Sequence, residues 1–185
     1  MDRRQRKTQR AIYDAFEALM AEEHYSQVTV AQIIDRADIG RSTFYGHFET
    51  KDDLIDTICT EMFDHIFEGV NTDCVTHAEL VTPDLEGQLA HLLYHLRDSH
   101  SGVSGKLLME GEPHFTAHFR TRLADLIAHD MPRIQDGIAP EFELRMLVSS
   151  FCEAVAWWFE GNCSCKPEQV ASWFMTPVSK GDRPS

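Results

Sequence analysis

Apolar side chains recur every three or four residues along almost the whole chain, the spacing of helices that bury one face. Ile12, Ala15, Phe16, Leu19 and Met20 predict an amphipathic helix over roughly residues 5–22. The stretch HYSQV breaks it. Thr29 and Gln32 then form a T-x-x-Q capping box, with Val28 and Ile33 placed as a hydrophobic staple. A short helix follows, with Val30, Ile33, Ile34 and Ala37 inward. Asp38, Ile39 and Gly40 make a turn, and Arg41 to Phe48 has room for about two helical turns. Thr50 caps a long fourth helix, with Asp52 and Asp53 set against the dipole of its first turn. Leu54, Ile55, Ile58, Met62 and Ile66 give that helix its buried stripe. Further helices are predicted near 83–100, 102–111, 113–131, 140–161 and 167–176. Pro83, Pro113, Pro140 and Pro167 each stand where a helix begins, as proline prefers. The chain reads as all-α.

Two of these helices are unusually apolar. EFELRMLVSSFCEAVAWWFEG carries Leu144, Leu147, Val148, Phe151, Val155, Trp158 and Phe159, and PEQVASWFM adds Val170, Trp173 and Phe174. A helix apolar over so much of its circumference buries more than one face.

Composition permits a sizeable core: 185 residues, 43% of them hydrophobic. The basic start, MDRRQRKTQR, is not followed by an apolar stretch of the secretory type, and no apolar run approaches a membrane span. Five cysteines at irregular spacing fit reduced thiols. These features lead to the expectation of a soluble, cytoplasmic protein with no membrane partner. The net charge of −13 argues at first against nucleic acid, but its distribution reverses that inference. Through residue 51 there are eight basic and eight acidic side chains; the other nine basic and 22 acidic residues carry the whole excess. Such asymmetry suggests a polyanion-facing end on an acidic body.

The chemistry concentrates in IGRSTFYGHFETKDDL. A short helix, a tight turn and a second short helix make the helix-turn-helix arrangement. Phe44 and Phe48, four apart, share the packing face of the second helix. Ser42, Thr43, Tyr45 and His47 are left to project, with Arg41 and Lys51 flanking them. Hydroxyls, a phenol and an imidazole bond to phosphates and base edges without repelling them.

From about Thr8 to Ile58 the chain resembles the DNA-binding domain of the TetR family of bacterial transcriptional regulators. The residues that carry the resemblance are VTVAQIIDRADIGRSTFYGHFETKDDL. Asp38 departs from the glycine common in the family's turn, and Asp tolerates a positive φ better than most residues. The resemblance implies a helix-turn-helix DNA-binding domain over 1–50, a linking helix over about 51–70, and a C-terminal regulatory and dimerisation domain over 51–185. It implies that Thr29 and Lys51 face phosphates from helix N-termini. Arg41, Ser42 and Thr43 would lie nearest the base edges, and Tyr45 and His47 along the groove wall. The function implied is a homodimeric repressor, released from a palindromic operator in double-stranded DNA by a small hydrophobic effector. By the same token the last two helices pair two subunits through Leu147, Phe151, Val155, Trp158, Trp173 and Phe174. An effector cavity is placed among Phe63, Phe67, Tyr94, His95, Met109, Phe115 and Phe119, with His65, His95 or Glu110 as a polar anchor.

Two histidine pairs, His91/His95 and His114/His118, each fall at i, i+4 on one helix face, a spacing divalent metals use. Cys163 and Cys165 form a C-x-C. With ten histidines in the chain, neither pair is assigned a metal and no cofactor is expected. The alternatives are a metal-dependent enzyme or metal sensor using these pairs, or a regulator that answers to a protein partner. Catalysis has little else behind it: the phosphate-binding glycine loop, the G-x-S-x-G elbow and the H-E-x-x-H helix are all missing.

Overall fold

The computed structural model describes residues 3–68, 84–98, 103–130 and 137–179. Among them are nine α-helices and no strand: α1 (Arg3–Glu22), α2 (Val30–Arg36), α3 (Arg41–Tyr45), α4 (Lys51–Glu68), α5 (Leu85–Asp98), α6 (Val103–Met109), α7 (Pro113–His129), α8 (Pro140–Glu160) and α9 (Pro167–Ser179). The helix starts expected at Pro83 and 102 lie outside the described residues, as do the ends expected at 100 and 131.

The local signals of the first four helices act as their chemistry dictates. Ile12, Ala15, Phe16, Leu19 and Met20 are the buried stripe of α1. The Thr29–Gln32 capping box is complete, each side chain bonded to the other residue's backbone, and Val28 and Ile33 are both buried beside it. Asp38 takes the turn at φ 51°. Thr50 Oγ1 accepts from the Asp53 N–H at 3.0 Å, and the Asp53 carboxylate accepts from the Glu49 N–H at 3.0 Å.

One local expectation needs correction. The segment after the turn is helical only over Arg41–Tyr45; Gly46 is its C-cap, and the backbone leaves the helix there before Phe48. The basic N-terminal stretch is the first two turns of α1 from Arg3 onward, with Arg3, Arg4, Arg6, Lys7 and Arg10 all exposed. Arg3, Arg4 and Arg6 in the first turn oppose the helix dipole. That placement is intelligible when something anionic faces them.

The remaining helices form the body. α5 is its central element: Leu85, Leu89, Leu92, Leu93 and Leu96 are buried along with Gly87, Ala90 and His91. It packs chiefly on α9, and α4 packs on α7. At the second seam Phe63, Phe115 and Phe119 are fully buried, Phe63 and Phe119 meeting edge to face at 5.4 Å. α6 approaches α5 and α8 so closely that a Cβ at Gly105 would lie 2.7 Å from the Leu96 carbonyl oxygen and 2.6 Å from the Phe159 ring. Phe159 can swing away, but a helix carbonyl cannot. Gly105→Ala is therefore expected to destabilise the protein by about 1–3 kcal/mol through overpacking, read as a lower thermal midpoint with the helical circular dichroism intact below it.

Candidate nucleic-acid interface

The α2–turn–α3 unit sorts its side chains by chemistry. Phe44 is fully buried and Phe48 nearly so, their rings 5.9 Å apart, and Tyr13 of α1 stands 6.1 Å from Phe48. Arg41 and Ser42 are exposed, Thr43 and His47 half-buried, and Tyr45 is 55% exposed although its ring leans edge-on against Phe44 at 5.6 Å. Thr29 is exposed too, but its hydroxyl already serves Gln32.

Lys51 is placed differently from the expectation. Its Nζ donates to the Tyr25 and Val28 carbonyls at 2.6 and 2.7 Å and lies 3.9 Å over the Tyr25 ring. Desolvation lowers its ammonium from the usual lysine range. The charge is engaged by the turn between α1 and α2, so Lys51 positions the interface before it touches any phosphate. The Tyr25 hydroxyl donates to Asp52 at 2.5 Å, and burial together with that bond pushes the phenol far above its ordinary range. From the other side α6 reaches the same segment. Lys106 Nζ donates to the Met20 and Glu23 carbonyls, while Glu110 meets His24 at 2.9 Å and accepts from the Tyr25 N–H. Glu110, expected as a cavity anchor, is thus part of this joint.

The aromatic residues expected around an effector do not gather on one cavity. Phe63, Phe115 and Phe119 are packed core. Tyr94 donates to Glu168 of α9 at 2.7 Å, Phe67 lies under the Arg122 guanidinium, and Met109 faces outward. A largely apolar cavity of about 220 Å³ lies instead between α1, α4, α5 and α6. Tyr13, Glu17, Ile58, Met62, His65, His95 and Val103 line it; of the expected residues only His95, with His65 as anchor, belongs there. Tyr13 and Glu17 are absent from the sequence-based expectation because α1 looked like part of the reading head alone.

Glu17 is held unusually. Desolvation first, and then the neighbouring Asp14 carboxylate, raise its carboxyl from 4.5 to about 7, with Arg10 pulling the other way. Glu61, Tyr13, His65 and His95 are the other titratable groups on the cavity wall. The folded protein therefore retains a proton that the unfolded chain has released, so this contribution to stability falls as pH rises from about 4.5 to about 7. Glu17→Gln is expected to remove that loss: the thermal midpoint of the variant relative to wild type should climb across this window and level off above it.

The histidine pairs part company. His114 and His118 bind α7 to α4, with His114 Nε2 2.9 Å from Asp56 and His118 Nε2 3.0 Å from Thr60. The hydrogen bond to Asp56 raises the His114 pKa. His91 and His95 are joined by His65 of α4, which the sequence places far away. The C-x-C residues Cys163 and Cys165 sit in the α8–α9 turn, where the Cys165 carbonyl accepts from the Trp158 indole at 2.8 Å.

The expected dimer residues also need correction. Leu147, Phe151, Val155 and Trp158 are buried within the subunit, and Phe174 packs against Phe151 at 5.2 Å. Most of the residues expected at a subunit contact thus face the core, and the open apolar face of α8 is rotated from them by about one residue, or roughly 100°. Phe142, Met146 and Trp157 form the open stripe of α8, and Trp173 of α9 stands beside Trp157 with ring centroids 6.2 Å apart.

A helix-turn-helix head with a polar outer surface on an all-helical body defines a DNA-binding regulator by its architecture. Residues 12–58 match the model of the bacterial regulatory proteins of the tetR family. The whole chain resembles the crystal structure of a TetR transcriptional regulator from Streptococcus agalactiae, with 31% identity, a TM-score of 0.70, and 98% of this chain and 97% of that one covered. An HTH-type transcriptional regulator of Bacillus subtilis, YxbF, is 35% identical over 71 residues, or 36% of this chain. The dhaKLM operon transcriptional activator DhaS of Lactococcus lactis is 39% identical over 51 residues, or 28% of this chain. Those matched stretches span only 19% and 27% of the two relatives' own lengths. The chain belongs to the TetR family of transcriptional regulators, a family of regulators and not of enzymes. No helix among the described residues is long and apolar enough to cross a membrane.

Proposed function

We propose that this chain is a homodimeric repressor that binds a palindromic operator through α3 and leaves it when a small molecule enters the cavity between α1, α4, α5 and α6. The observation that carries the reading is the exposed polar surface of α3, with Tyr45 open to solvent at the head of α4. α4 runs from that head to Ile58, Met62 and His65 on the cavity wall. A ligand that prefers a shifted α4 would shift the population of DNA-competent heads, since only differential affinity moves such an equilibrium. Arg41, Ser42 and Thr43 read base edges, Tyr45 and His47 hold the backbone, and Thr29 presents the α2 N-terminus to a phosphate. The effector is small and mostly apolar, with one hydrogen-bond donor or cation to meet Glu17 or Glu61. The two domains meet at the start of α4, near residue 50.

Selection of bound genomic fragments supplies the operator, and titration of that duplex tests the interface. Tyr45→Ala with His47→Ala is expected to weaken binding by about 1–3 kcal/mol for each side chain removed, without lowering the thermal midpoint. Replacing Arg3, Arg4, Arg6 and Lys7 by glutamine should flatten the slope of log affinity against log salt by about 0.9 for each phosphate that these cations neutralise. Unchanged operator affinity in the double variant overturns the assignment of α3. Higher transcription with the protein bound than without it would make the chain an activator, the role for which the Lactococcus lactis relative is named.

A further inference from the structure

Three imidazoles meet at the boundary of α4 and α5. His91 is buried, His65 and His95 half-buried, and one ring nitrogen from each lies within 4.8 Å of those of the other two. His91 Nε2 and His95 Nε2 are 3.0 Å apart, and the His65 ring centroid stands 5.2 and 4.8 Å from the other two. Two nitrogens bound to one tetrahedral zinc, at about 2.0–2.1 Å each, stand roughly 3.3 Å apart. The pair on α5 is therefore already near ligand spacing, and a modest rotation of the His65 side chain brings in the third.

We propose that His65, His91 and His95 bind one divalent transition-metal ion of the zinc class. The donor set selects the ion. Imidazole nitrogen suits zinc, cobalt, nickel and copper, whereas magnesium and calcium take oxygen ligands. Three nitrogens leave the fourth position of a tetrahedron open to water or to a donor atom on a ligand. His65 and His95 also line the cavity, so such a donor has an approach. Because His65 is on α4 and the other two are on α5, one ion bridges the helix that carries the reading head to the centre of the body.

A cluster of three histidines also fits a hydrogen-bonded polar core, and that reading is the one the experiment must separate. The full-length chain, stripped with a chelator, is titrated with Co²⁺ while the visible d–d absorption is followed, and Zn²⁺ is then added in competition with a chromophoric chelator. The expected result is one Co²⁺ per chain with the intense bands of tetrahedral coordination, displaced by one equivalent of Zn²⁺. His65→Ala and His95→Ala should each lower the zinc affinity by at least about 100-fold, more than the loss usual for outer partners of a metal site. His114→Ala with His118→Ala should leave it unchanged. Circular dichroism establishes which variants fold; His65→Gln keeps the test available if His65→Ala does not. Zinc should also raise the thermal midpoint of wild type and not that of His65→Ala. Substoichiometric binding, an octahedral cobalt spectrum, or an affinity indifferent to His65→Ala overturns the proposal. All readouts are taken without DNA, so the site stands or falls separately from the repressor reading.

Discussion

Trp157→Glu combined with Trp173→Glu is expected to give a folded monomer whose operator affinity is at least about 100-fold below wild type. Both indoles are 55% exposed and lie side by side on the outer face of the α8–α9 pair, where Phe142 and Met146 continue the patch. Central aromatic anchors of an interface are each worth about 2 kcal/mol or more, and a buried unpaired carboxylate adds a penalty. One recognition helix reads too few base pairs alone; two must be held roughly 34–36 Å apart, so loss of the pairing loses the operator. Light scattering measures the mass, and a fluorescence titration with labelled operator measures the affinity. Because these side chains contribute little to the subunit's own core, the thermal midpoint of the dilute protein should move little. Wild type that stays monomeric at micromolar concentration would defeat the assignment of this face. By contrast, Leu147→Glu or Phe151→Glu puts a charge inside the subunit and is expected to unfold the body outright.

The second large effect belongs to Phe44. It is fully buried, meets Phe48 and Tyr45 through its ring, and is the one buried residue of α3. A five-residue helix cannot hold itself together by propensity; its orientation is that of the side chain it buries. Phe44→Ala should cost about 3–5 kcal/mol and abolish specific operator binding, while the α8–α9 pair still brings subunits together. Hydrogen exchange would locate the damage: amides of α2 and α3 lose protection, and those of α5 keep it. Tyr45→Ala, one residue away, reverses the pattern by weakening DNA binding and sparing stability. The contrast between neighbours separates a residue that builds the head from one that uses it.

Local chemistry was legible in the sequence, and long-range chemistry was not. The Thr29–Gln32 box, the positive φ at Asp38, the Thr50 cap and the division of labour between Phe44 and Tyr45 all follow from offsets of four residues or fewer. Helix identity in the body could be read as well, with Pro113, Pro140 and Pro167 marking the starts. The choice of buried face was not legible. On α8 both sides are apolar, so Trp157 and Trp158 looked interchangeable, although 100° of helix rotation buries one and opens the other. The cavity was not legible for a related reason: aromatic residues on α4 and α7 filled their own seam, and the space opened where α1 meets α4 and α6. His65 joining His91 and His95, and Lys51 and Glu110 turning to the 23–28 segment, depend on which helices pack together. Periodicity is silent on that.

The grip on residues 23–28 bears on how such proteins can be recombined. Lys51 and Asp52 hold that segment from the start of α4, while Lys106 holds it from α6 and Glu110 from just past the end of α6. A graft of residues 1–50 onto a foreign body would carry the reading surface intact and leave behind all four residues that aim it. Such a chimera would have the right letters for its operator and the wrong angle. Specificity here is therefore not a portable cassette, and a successful exchange has to move the α6 contacts together with the head.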